Sequence, residues 1–86
     1  MMTEQSLKDF IASKKKELSA LLSRHSGVRP SWVSTDVAML QMEIERAQQE
    51  HDILHYGPVL ASAMHKIPLD NVYAWLNQNK DTKDDN

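Results

Sequence analysis

The chain is predicted to be all-α: a long antiparallel helical hairpin followed by two short helices. Three observations predict this fold class. Apolar residues recur every three or four positions, which is the period of a helix with one buried face. The 86 residues include only two glycines and three prolines, and all five lie where a helix is expected to start or end. No segment alternates apolar and polar residues in the way a half-buried strand does.

The second helix is the longest element and is expected to organise the others. It is predicted over about residues 32–56, between Pro30 and Gly57-Pro58, without an internal glycine or proline. Its apolar positions alternate in steps of four and three, which is typical of a helix that packs along another helix. These positions are Val33, Val37, Leu40, Ile44, Ala47, His51 and Leu54. The opposite, solvated side is expected to hold Gln41, Glu45, Gln48, Gln49 and Asp52.

The first helix is predicted over about residues 4–25, and its apolar face consists of Leu7, Phe10, Ile11, Leu18, Leu21 and Leu22. A connection of about five residues makes the two long helices antiparallel neighbours. Lys14 interrupts the apolar face of the first helix. The hairpin places it beside Glu43 of the second helix, so we expect an ion pair between them.

Two short helices are predicted after the hairpin, over about residues 58–66 and 69–79. Pro58 suits the first position of a helix, and Pro68 separates the two segments. Together with the hairpin they form one domain, residues 1–79. Residues 80–86 contain no apolar side chain and are expected to be a flexible, disordered acidic tail.

Composition excludes several function classes. The chain has no cysteine, so neither disulfides nor thiolate metal sites are expected, and a reducing cytoplasm is the expected location. It has no signal-peptide pattern and no apolar run of ~20 residues, so a soluble protein without a membrane partner is expected. Two glycines cannot make a phosphate-binding loop, and no catalytic constellation is visible. We expect neither an enzyme nor a cofactor.

Charge makes nucleic acid the less favoured partner. The net charge is −2, with +3 on residues 1–34 and −5 on residues 35–86. An acidic protein gains little from releasing counterions on nucleic acid. The asymmetry instead favours packing of the two halves against each other.

The leading hypothesis is a non-enzymatic protein-interaction module, such as a regulator, an inhibitor or a chaperone-like adaptor. Tryptophan and tyrosine are frequent binding hot spots, and methionine suits an adaptable contact surface. The predicted partner-binding residues are therefore Trp32, Met39, Met42, Tyr73 and Trp75. The hairpin also resembles the small hairpin chaperones of bacterial secretion systems in its length and in the Pro30 that precedes a Glu/Gln-rich helix. A homodimer is a further possibility, because a thin core gains from being shared.

The alternative hypothesis is a DNA-binding regulator that uses residues 58–79, with the hairpin for dimerisation. Leu60-Ala61, Met64, Ile67, Val72 and Trp75 resemble the core positions of a helix-turn-helix. That resemblance implies a second helix in the major groove and DNA contacts from Asn71, Tyr73, Asn77, Lys66 and Lys80. The chain departs from the pattern: His65 occupies the glycine position, the turn reads as one residue long, and the second helix has no arginine.

His51 and His55 are one helical turn apart and resemble the zinc-binding pair of zincin proteases. Asp52 lies between them, where the motif has a glutamate. A third metal ligand would have to come from His25, His65 or Glu50. We therefore predict no metal site, with His51 and His55 as the candidate ligands should one exist. The competing interpretation of His51 is a residue that packs in the hairpin seam.

Overall fold

The computed structural model describes residues 2–27 and 29–84, in which four helices and no strands are present. They are α1 (Glu4–Arg24), α2 (Ser31–Tyr56), α3 (Pro58–His65) and α4 (Leu69–Asp84). The predicted all-α hairpin with two following helices is confirmed, and the bounds of the first three helices agree with the prediction to within one residue.

The fourth helix continues to Asp84, beyond the predicted end at residue 79. The flexible tail was predicted for residues 80–86. Residues 85 and 86 lie outside the described part of the chain, and so do the side chains of residues 80–84. The flexibility of this tail stays a prediction.

The hairpin forms because α1 and α2 share an apolar seam. Thr3 caps the start of α1, with reciprocal hydrogen bonds to Ser6 that satisfy two backbone N–H groups. Further along, three buried side chains form the first core cluster, with Phe10, Ile44 and Leu54 packed around it; they are Leu7, Ile11 and Ala47. The Nζ atom of Lys14 lies 3.1 Å from Oε2 of Glu43, which confirms the predicted pair.

The second core cluster lies near the C-terminal end of α2, on a different side of this helix from the first cluster. Gly57 has φ +93°, a value that favours glycine, and its N–H donates to the carbonyl of Ile53 as α2 ends. The chain turns back there into α3. Ile53, Ala61 and Val72 are buried together, with Ile67, Trp75 and Leu76 packed against them.

The molecule is thin. Its principal extents are 46 × 31 × 18 Å, so the shortest is less than about two helix diameters. Every helix therefore has an uncovered side, and few apolar residues are fully buried. Among the residues that the structure describes, no helix is both long enough and apolar enough to cross a lipid bilayer.

Candidate interaction surfaces

α2 carries a second apolar stripe, away from its seam with α1. With 3.6 residues per turn, its four members fall within about a quarter of the helix circumference; they are Trp32, Met39, Met42 and Ile53. Ile53 is buried in the second core cluster. The other three are exposed, and Met42 exposes 69% of its surface. The short helices thus cover this stripe only near the C-terminal end of α2.

A groove of about 520 Å³ lies between α2 and α4, where the covered part of the stripe meets the exposed part. Its apolar lining consists of Met42, Ile53, Ile67, Val72 and Trp75. Its polar lining consists of Glu43, Glu45, Arg46, Gln49, Glu50 and Asn71. This combination of an apolar floor and a charged rim is typical of a surface that receives another helix.

The predicted partner-binding residues do not form one patch. Met42 and Trp75 line the same groove, whereas Met39 lines a different groove, between α1 and α2. Trp32 lies near the start of α2 and contacts the edge of the His25 ring, with 5.2 Å between ring centroids. Tyr73 is exposed on α4 and is not among the groove-lining residues. Trp75 is half-buried, since it also packs against the second core cluster.

A second exposed apolar surface was not predicted from the sequence. We call it the α3 face; it consists of Val59, Leu60 and Met64 of α3 and of Tyr56, the last residue of α2. Val59 and Leu60 expose 64% and 51% of their surfaces, and Tyr56 and Met64 are similarly exposed. The orientation of α3 depends on a polar contact on its other side.

That contact is a buried cluster around Asp52, which exposes only 6% of its surface. Nδ1 of His51 lies 3.0 Å from one carboxylate oxygen, and Nε2 of His65 lies 2.7 Å from the other. Nε2 of Gln48 donates to the first oxygen at 3.1 Å. The expectation that Asp52 lies on the solvated side of α2 is therefore wrong. The reason is that α3 brings His65 to this carboxylate.

The electrostatics of the cluster favour a charged Asp52. Burial alone would raise the pKa of this carboxyl group, because a buried charge loses its hydration. The hydrogen bonds from His51, His65 and Gln48 outweigh that effect, so the pKa of Asp52 lies below its ordinary value. In the hairpin, the hydrogen bond to Glu43 likewise holds the pKa of Lys14 above its ordinary value.

The zincin-like spacing does not produce a metal centre in the described residues. The rings of His51 and His55 are stacked, with centroids 5.6 Å apart. Nδ1 of His51 is occupied by Asp52, and Nδ1 of His55 lies 3.5 Å from Glu4. Nε2 of His51 is buried without a hydrogen-bond partner. Within residues 2–27 and 29–79, whose side chains the structure describes, no group of three or more His, Asp or Glu side chains is arranged to hold a metal ion.

The α3–α4 connection has a longer turn than the sequence suggested. Three residues, Lys66 to Pro68, separate the helices, so the prediction of a one-residue turn is wrong. Lys66, and not His65, occupies the left-handed position, with φ +54° and ψ +44°, because α3 continues through His65. Leu60 and Met64, two of the core positions that carry the helix-turn-helix resemblance, expose 51% and 48% of their surfaces, which contradicts that part of the resemblance.

The structure describes the side chains of four of the five residues predicted to contact DNA. Asn71, Tyr73 and Asn77 are exposed on α4, and Lys66 is exposed in the turn. The side chain of Lys80 lies outside the described part of the chain.

Comparison with known proteins returned no relative. The chain matches no family model, and neither a curated protein nor a solved structure resembles it at a significant level. The surfaces described above are therefore the basis for any functional assignment.

Proposed function

We propose that this protein is a non-enzymatic interaction module that binds an amphipathic helix of a partner protein along α2. One observation carries the proposal: the second stripe of α2 is covered at Ile53 but continues uncovered through Met42 and Met39 to Trp32. α4 reaches one end of this surface through Val72, which is buried together with Ile53. A partner helix would lie in the groove between α2 and α4 and continue along the exposed stripe.

The chemistry of this surface suits a helical ligand. Methionine side chains adapt to partners of different shape, and Trp32 and Trp75 offer large rigid contact areas. The groove rim carries three carboxylates and one guanidinium, from Glu43, Glu45, Glu50 and Arg46. Glu43 lies 3.1 Å from Lys14 and Glu50 lies 3.5 Å from Arg46, so both are already ion-paired. We expect the partner helix to place a lysine or arginine beside Glu45.

A module of this kind would act as a regulator, an inhibitor or a chaperone-like adaptor, because it shields an apolar helix that is otherwise exposed. The lack of cysteine suits action in a reducing compartment such as the cytoplasm. The proposal requires no catalysis and no cofactor.

The test begins with a tagged pull-down from source-cell lysate, with and without nuclease, followed by mass spectrometry. We expect one protein in stoichiometric amount that survives nuclease treatment. The interaction is then measured by isothermal titration calorimetry with the full chain and with Met42→Glu. We expect Met42→Glu to weaken binding at least about tenfold, because it places a charge in the apolar contact.

Gln41→Glu is the matched control, because it adds the same charge at an exposed position about 100° around α2 from Met42. It should keep the affinity of the unmodified chain. Equal loss of binding in both variants would contradict the proposed surface, and so would unchanged binding by Met42→Glu.

A second candidate function, sequence-specific DNA binding, is favoured by the three-residue turn with its left-handed Lys66. In this alternative α4 would enter the major groove and use the exposed Asn71, Tyr73 and Asn77. The double variant Asn71→Ala with Tyr73→Ala should then abolish DNA capture and leave the helical circular dichroism signal intact. Recovery of DNA in the pull-down, with loss of bound protein after nuclease treatment, would favour this function over the first.

A further inference from the structure

A small basic groove lies between α1 and α2, and we call it the lysine groove. Its volume is about 340 Å³, and its lining consists of Lys8, Ile11, Ala12, Lys15, Gln48 and His51. Lys8 and Lys15 are seven residues apart, so they lie on the same side of α1 with two helical turns between them. Ala12 lies between them and has a side chain too small to fill the space. No carboxylate lines this groove, although the net charge of the chain is −2.

The two ammonium groups of the lysine groove have no counter-charge. Neither Lys8 nor Lys15 forms an ion pair or a hydrogen bond with another residue that the structure describes. Lys14, by contrast, is paired with both Glu17 and Glu43. Cations that line one groove without acidic neighbours raise the local concentration of anions.

His51 contributes an unsatisfied nitrogen to the same groove lining. Its Nδ1 lies 3.0 Å from Asp52, and because a charged carboxylate can only accept, this nitrogen carries the hydrogen. Nε2 of the neutral ring therefore has a lone pair, and it is buried without a partner among the described residues. A buried polar atom without a partner is costly, and in native proteins a water or an ion often satisfies it.

We propose that the lysine groove binds a hydrogen phosphate ion, held by the ammonium groups of Lys8 and Lys15 and by Nε2 of His51. Its charged oxygens accept from the lysines, and its one hydroxyl group donates to the lone pair of Nε2. A groove-lining side chain must move to admit the ion to Nε2. The side chains of Lys8 and Lys15 are exposed and unpaired, and their flexible stems allow this movement. The volume suits a small ligand, since ~300 Å³ is the lower end for ligand sites.

The experiment is an NMR titration of the full isotope-labelled chain with sodium phosphate at about pH 8, where an imidazole is ordinarily neutral. Sodium chloride keeps the ionic strength constant. We expect saturable shifts of the Nε2 resonance of His51 and of the amides around Lys8 and Lys15. The dissociation constant should be roughly 0.1–1 mM, because the contacts are few and partly exposed to solvent. Absence of saturable shifts would overturn the proposal.

Two further ligands test the hydroxyl group of the ion. Sodium sulfate and glycerol phosphate carry similar charge but have no acidic hydrogen left at this pH, since a phosphate monoester loses its last one near about pH 6. Both should bind at least about fivefold more weakly than hydrogen phosphate, because neither can donate to Nε2. Equal binding of sulfate would reduce the groove to a non-selective anion site and overturn the proposal. Tighter binding of glycerol phosphate would assign the groove to phosphate monoesters and overturn the role of the lone pair.

Three variants locate the site. Lys8→Gln and Lys15→Gln should each weaken phosphate binding at least about fivefold, because each removes one charge-assisted hydrogen bond. Lys16→Gln is the matched control, since it removes the same charge from an exposed neighbour that does not line the groove. Its affinity should be unchanged. Equal weakening in all three variants would assign binding to the general charge of α1 and overturn the assignment to the groove.

The phosphate site is separable from the proposed partner surface. Gln48 and His51, which α2 contributes to the lysine groove, do not line the groove between α2 and α4. Met42→Glu should therefore bind phosphate with the affinity of the unmodified chain, and Lys8→Gln should keep its affinity for the partner helix. Loss of phosphate binding in Met42→Glu would contradict a separate site.

Discussion

α1 and α3 pack on different sides of α2 through different chemistry. α1 packs on α2 through the apolar cluster of Leu7, Ile11 and Ala47. α3 joins α2 through a hydrophobic cluster and also through the hydrogen bonds of the buried Asp52. An apolar seam tolerates small shifts, because it is not directional. A hydrogen-bonded cluster specifies one orientation of α3, because its geometry is directional.

That orientation explains the exposed surface. Because His65 must face Asp52, the opposite side of α3 must face solvent, and this side holds Val59, Leu60 and Met64. The polar cluster thus determines which apolar residues of α3 are exposed. The hairpin exposes apolar residues of its own, since Trp32, Met39 and Met42 of α2 are not covered by α1.

The largest effect is expected from breaking the hairpin core. Leu7 is fully buried, and Leu7→Ala removes apolar packing and leaves a cavity. We expect the free energy of unfolding to fall by about 3 kcal/mol, a large share of the stability of so small a domain. Urea denaturation followed by circular dichroism measures it. Met42→Ala, at an exposed apolar site, is the control and should change stability by less than about 0.5 kcal/mol.

The next effect is expected where α3 packs on α2. Asp52→Ala leaves the donors of His51, His65 and Gln48 without an acceptor and should cost about 2 kcal/mol. Loss of this contact acts on α3 and α4, so amide hydrogen exchange should accelerate there more than in α1. Glu45→Ala, at an exposed site on α2, is the control. Uniform acceleration over all four helices would contradict this difference between the two contacts of α2.

Acid should weaken the packing of α3 on α2 before it weakens the hairpin. The pKa of Asp52 is lowered in the folded state, so the unfolded state binds the proton more readily in acid. The stability that Asp52 contributes is therefore complete above its unfolded pKa of about 3.9 and is lost as the pH falls through the lower, folded value. Denaturation midpoints between about pH 5 and about pH 2 should fall less steeply for Asp52→Asn than for the unmodified chain. Equal slopes would contradict a role for this carboxylate.

The hairpin could be predicted from sequence because its information is local and periodic. The step of three and four along α2 identifies the side that faces α1, and the pairing of Lys14 with Glu43 follows from the antiparallel register. Apolar spacing over 26 residues leaves little freedom in the choice of face.

The environment of Asp52 could not be predicted in the same way. Its partner His65 lies thirteen residues later, on a helix too short for periodicity to define its buried side. The inward residues of α3 are small or polar, so an apolar pattern assigns the wrong side to the core. The left-handed Lys66 is a further surprise, because lysine rarely adopts that conformation.

The smallest effect on stability is expected in the turn between α3 and α4, where Lys66 adopts the left-handed conformation. Lys66→Gly should stabilise the protein by about 1 kcal/mol, because glycine adopts the left-handed conformation without a Cβ clash and is the usual residue at this helix end. Lys66→Ala removes the same charge but keeps Cβ, so it should give no such gain. Equal stabilisation in both variants would assign the effect to the charge. If Lys66→Gly alone is stabilising, the turn carries strain that the contacts of His65 and Ser62 offset.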